Sequence, residues 1–144
     1  SDDTKAKIRA MLREISELES IGDACYNLAR VLNRRKKSSE DFNEKQHNNI
    51  IKMYELVDRS LTLMNELFTR PLQDIDANRS FNVETEINNY RDMIKIQNVN
   101  DVDNHVYTYS VGSMYMDIIN ECEKLGDYVV NVVEARTGIR QQEA

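Results

Sequence analysis

Apolar residues recur every three or four positions along nearly the whole chain, and the recurrence predicts four long helices. The first is expected over about residues 4–36, with Ile8, Met11, Leu12, Ile15, Leu18, Gly22, Cys25 and Ala29 as one inward stripe. Asp2 and Asp3 suit its start, and Arg34, Arg35, Lys36 and Lys37 its end, where each sign complements the helix dipole. Residues 38–41 are the expected linker and cap for a second helix over about 40–68. That helix carries two stripes, one through Ile50, Tyr54, Val57, Leu61, Met64 and Phe68, the other through Met53, Leu56, Leu63 and Leu67. Two stripes mean cover on two sides, as inside a bundle. Pro71 ends the pattern.

A third helix is expected over 73–98, with Val83, Ile87, Tyr90 and Ile94 inward, and then a turn over 98–104. The fourth is expected over about 105–137, its stripe running through Met114 or Tyr115, Ile119, Cys122, Gly126, Val129 and Val133, with Gly138 as C-cap. The fold class is therefore all-α, a helical bundle in one domain, 1–144.

A repeat cuts across this pattern. The run from Glu17 to Asn27 returns 104 residues later from Glu121 to Asn131, both of the form E-x-E-x-[IL]-G-D-x-x-x-N. Each copy sets a glutamate and an aspartate one helical turn apart, Glu19 with Asp23 and Glu123 with Asp127. Each also places a glycine inside a helix, Gly22 or Gly126, which costs about 1 kcal/mol relative to alanine. The second copy is preceded by two helices that pack with it; the first begins only sixteen residues into the chain. The expectation is a piece of a longer protein: residues 1–37 as the last helix of one unit, 40–138 as a complete three-helix unit. The start at Ser1 fits a processed or recombinant product. The first helix should then carry a partly uncovered stripe, buried by a homodimer or by helix exchange.

Composition narrows the chemistry. Four glycines and one proline in 144 residues favour helices over sheets. A net charge of −6 argues against a nucleic-acid surface, and no apolar run is long enough to insert in a membrane. The basic run at residues 34–37 is read as a solvated helix end. Cys25 and Cys122 lie on apolar stripes and are expected to be buried, reduced thiols, as in a cytoplasmic protein. Glu44-x-x-His47 is half of a di-iron bundle signature, but His105 has no matching glutamate. No phosphate loop, Ser-His-Asp set or zinc spacing of cysteines is present. That leaves the repeated carboxylate pairs, which could hold a hard or borderline cation if brought together or faced by partners. The alternative is pairing with Lys and Arg in a polar seam.

The two copies, with Gly22, Asn27, Gly126 and Asn131, resemble the E-R-I-G-D-x-x-x-N signature that ends each repeat of PhoU-like proteins. The resemblance implies two three-helix bundles, of which this chain would cover the last helix of the first and all of the second. It also implies that Glu19, Asp23, Glu123 and Asp127 can bind iron or zinc, with Glu84 and Asn88 as further ligands. In soluble PhoU the helix holding Glu84 typically offers an acid four residues on; here Asn88 stands there, a weaker ligand. The stretch 83–91 looks more like the PhoU-like cytoplasmic domain behind the membrane part of Na⁺/phosphate cotransporters. The implied function is non-enzymatic regulation of phosphate transport, at the cytoplasmic side of the cell membrane, with the transporter part of the same parent chain as partner. The runner-up is a soluble PhoU-type regulator acting on an ABC-type phosphate transporter and a histidine kinase. A metal-dependent enzyme using the carboxylate pairs is a third reading.

Overall fold

The computed structural model describes residues 1–142, so the last two residues of the expected domain lie outside it. Four helices form, α1 (Asp2–Lys37), α2 (Glu44–Thr69), α3 (Ala77–Asp103) and α4 (Tyr109–Thr137), with no strand among the described residues. The protein is an all-α bundle. A short 3₁₀ turn, Leu72–Asp74, follows Pro71.

Local chemistry explains each boundary. The Ser1 hydroxyl accepts the Thr4 N–H at 3.2 Å and starts α1 two residues earlier than the apolar pattern does. The second helix starts at Glu44, not near residue 40, because Asn43 and Gln46 form a capping box with reciprocal bonds of 2.8 and 2.9 Å. Asp76 caps α3, so that helix begins at Ala77 rather than Gln73. It also runs five residues beyond Asn98, through the polar stretch expected to be a turn. Buried Asn98 accounts for the continuation: its Nδ2 donates to the Gly112 carbonyl and its Oδ1 accepts from the Tyr107 hydroxyl at 2.6 Å. The turn lies instead over 104–108, where His105 takes φ 58° and Thr108 caps α4 at Tyr109. Gly138 ends α4 in the left-handed conformation, φ 73°, as expected.

The bundle is built around α4. Its apolar residues are buried around most of its circumference, among them Val111, Tyr115, Ile118, Leu125, Val129 and Val132, and α1, α2 and α3 all pack on it. Helices α2 and α3 also pack on each other. Met53, Leu56, Leu63 and Leu67 of α2 and Val83, Ile87 and Ile94 of α3 complete the core.

Helix α1 corrects the inward stripe. Its contact face is Glu14, Ile21, Ala24, Leu28 and Val31, while Ile8, Met11, Leu12, Ile15, Leu18, Gly22, Cys25 and Ala29 face solvent. The partial lack of cover expected for that stripe is in fact complete. Cys25 is accordingly exposed, not buried. Cys122 is buried, and burial first, then the Glu121 charge, pushes its thiol up to about 12. Phe68, expected on an inward stripe of α2, is exposed under the guanidinium of Arg136, 5.0 Å from its ring centre.

The repeat makes this asymmetry quantitative. Ile15 and Ile119 are equivalent positions, yet Ile15 is 54% exposed and Ile119 0%. Truncating Ile119 to alanine should cost about 3 kcal/mol of unfolding free energy, as buried isoleucine deletions do. The same change at Ile15 should stay within about 0.5 kcal/mol. Urea unfolding of the two variants measures the difference; equal losses would mean that α1 is covered in solution.

Candidate carboxylate site between α3 and α4

Helices α1 and α4 run antiparallel. Arg13 Nη2 reaches Asn131 Oδ1 and Glu134 Oε1 at 3.5 Å each, Glu14 lies 3.6 Å from Arg136, and Arg34 Nη2 lies 2.5 Å from Asp117. This pairing sets Gly22 and Gly126 at about the same height, so an approximate two-fold axis relates the two motifs. The axis carries one motif to the outer face of α1 and the other to the face of α4 covered by α2 and α3.

The two carboxylate pairs therefore meet different surroundings. Glu19 and Asp23 are exposed, and no ion pair or side-chain hydrogen bond holds them among the described residues. Glu123 and Asp127 are half-buried and face α3, where Glu84 is buried and Asn88 half-buried. A Cβ on Gly126 would stand 3.2 Å from Ile87 Cδ1, so the absent side chain is what lets α3 approach here; at Gly22 nothing lies within 4 Å. The structure thus joins Glu84, Asn88, Glu123 and Asp127, and leaves Glu19 and Asp23 apart.

The joined set is tightly wired. Glu84 Oε1 accepts from Asn88 Nδ2 at 2.5 Å and Oε2 from Gln141 Nε2 at 2.7 Å. Arg91 Nη1 lies 3.9 Å from Glu123 Oε2. The carboxyls of Glu84 and Glu123 are within hydrogen-bonding reach of Asp127. Burial, then the Glu123 charge, then these hydrogen bonds push Asp127 up to about 7. Asn88 Oδ1 is buried without a hydrogen-bond partner. Three carboxyls and one unpartnered amide oxygen are a donor set suited to a hard or borderline cation. Even so, among the described residues no three His, Cys, Asp or Glu side chains stand ready-arranged around a common centre.

Arg91 and Gln141 were not singled out by the sequence. Arg91 falls one helical turn from Ile87 and Ile94, a spacing that could have placed it beside the acids. Gln141 lies past the end of α4 and carries no periodic signal. Of the other motif positions, Asn131 accepts from Arg13, and Asn27 lines a cleft described below. His47 is exposed, 3.4 Å from Asp41, and takes no part in a metal set with Glu44.

No protein-family model, no curated protein and no solved structure matches the chain.

The raised Asp127 carboxyl gives a signed pH effect. An acid held above its unfolded value of 3.8 disfavours the ionised fold, so its unfavourable contribution grows as pH rises from about 4 through 7 and then levels off. Asp127→Asn mimics the protonated form. Its melting temperature should nearly match the parent's near pH 4 and exceed it by an amount that increases up to pH 8. A difference that does not change with pH would show that Asp127 ionises freely.

Proposed function

We propose that this chain is a non-enzymatic regulatory domain of the PhoU-like kind, cut from a Na⁺/phosphate cotransporter. The observation that carries the reading is the repeated motif, carried by two antiparallel helices, α4 at the centre of the bundle and α1 packed against it. Asn88 in place of an acid favours the transporter-attached kind over a free regulator. No helix among the described residues is long and apolar enough to cross a membrane, so any membrane part would belong to another stretch of the parent chain.

The exposed face of α1 supports the same reading. Position by position it repeats the face of α4 that α2 and α3 cover, and its natural occupant is a second pair of helices of the same kind. Movement of that pair relative to α2–α4 would pass the domain's state to the transporter. If iron or zinc binds, Glu84, Glu123 and Asp127 with Asn88 Oδ1 hold it. Glu19 and Asp23 join only a site completed by the second helix pair.

Two measurements test this. An antibody to the chain, used on fractionated native cells, should find the antigen in a membrane pellet that resists salt and carbonate washing, at a mass well above 16.8 kDa. A soluble antigen would overturn the transporter reading in favour of the free regulator. Zn²⁺ or Fe³⁺ should raise the melting temperature of the chain, because a ligand of the native state stabilises it, and should do so less for Asp127→Asn. An unchanged melting temperature at millimolar metal would remove the metal from the proposal.

A further inference from the structure

A second polar feature lies on the other side of Glu123. Helices α1, α3 and α4 enclose a cleft of about 850 Å³, within the range of small-molecule sites and far larger than one inorganic ion needs. Its walls carry pairs of residues one helical turn apart, Arg30 with Arg34 on α1 and Arg91 with Lys95 on α3, and Lys124 adds a fifth cation from α4. Asn27 and Asn120 contribute neutral donors. In a chain of net charge −6, this recess gathers charge of the opposite sign.

The carboxylates of the cleft are already engaged. Asp117 pairs with Arg34 at 2.5 Å, Glu121 with Lys124 at 3.2 Å, and Glu123 lies 3.9 Å from Arg91. These contacts hold three of the cations at the walls. Among the described residues no carboxylate lies within ion-pair distance of Arg30 or Lys95. Arg30 rests over the Tyr26 ring, 6.0 Å from its centre. Arg91 Nε is buried and has no hydrogen-bond acceptor, since Asp92 Oδ1, although 2.8 Å away, is not aligned with the N–H.

We propose that this cleft binds a small polyanion of the diphosphate class. Arg91 and Lys95 receive one anionic group from α3, and Arg30 receives the next from α1. Guanidinium forks match the paired oxygens of phosphate groups, and two are present on opposite walls. Two separated uncommitted cations call for more than one charge on the ligand. Such a ligand ties α1 to α3, two helices that otherwise meet chiefly through α4. The proposal rests on the cations and their pairing, not on the family reading, and stands or falls separately from it.

Titration calorimetry with sodium pyrophosphate at low ionic strength tests it on the whole chain. One molecule should bind with a dissociation constant below about 1 mM, the affinity weakening as salt shortens the Debye length to roughly 8 Å. Arg30→Ala with Lys95→Ala should weaken binding at least about tenfold, the loss expected when charge-assisted bonds go. Lys5→Ala with Lys7→Ala, exposed cations near the start of α1, should leave it unchanged. Arg30→Gln and Lys95→Gln, each keeping side-chain bulk, should give intermediate losses and a parental melting temperature. No binding at 10 mM pyrophosphate (about tenfold above the expected limit) would overturn the proposal. So would equal weakening by the Lys5 and Lys7 pair, which would mean diffuse attraction and not a site.

Discussion

The burial of α4 on three sides is the constraint from which the rest of the structure follows. A helix with Val111, Tyr115, Ile118, Ile119, Leu125, Val129, Val130, Val132 and Val133 buried has apolar residues around most of its girth. It is stable only when several neighbours remove that surface from water. Helices α2 and α3 take one side as a pair, and α1 takes another, so the positions of all three are set by what α4 must hide. Several polar groups enter this interior with partners, whereas the Ser60 hydroxyl and Asn88 Oδ1 are buried without one. Asn98 bonds Gly112 and Tyr107, Asn49 links the Tyr90 and Tyr115 hydroxyls, and Arg136 answers buried Glu14.

The same constraint makes unlike sites of two like motifs. On α4 the Glu-x-x-Gly-Asp turn is pressed against α3, and Gly126 admits Ile87 closely enough to bring Glu84 up to Glu123 and Asp127. On α1 the same letters face water. What a motif can do is thus decided by its cover. Like charges held together at reduced solvation raise the Asp127 carboxyl.

Much of this was legible in the sequence, and the limits have physical causes. Four helices, the C-cap at Gly138 and most interior positions of α2, α3 and α4, Phe68 excepted, follow from periodicity and end chemistry. The polar run 98–104 misled because one buried, doubly bonded asparagine outweighs several poor helix formers. The orientation of α1 was ambiguous, since it carries two candidate faces: a strongly apolar one, and a mixed one through Glu14, Ile21, Ala24, Leu28 and Val31. Hydrophobicity alone selects the first; the structure turns the second inward, because α4 is the neighbour at hand. Of the carboxylate site, the repeat located Glu123 and Asp127, and the family resemblance added Glu84 and Asn88. Gln141 was invisible because it reaches the site from beyond the end of a helix, where no period constrains it.

Helix α1 grips the bundle by a single face. Its backbone bonds are internal, its outward apolar side chains are exposed, and its principal neighbour is α4. The molecule is thus two layers of unequal cohesion, a mutually packed block of three helices and one outrigger. Openings of the outrigger need break only one interface, but that interface is the most extensive between any two helices of the bundle. Whatever covers its outer face would convert the outrigger into an interior strut, and the rigidity of the whole would then report on that contact.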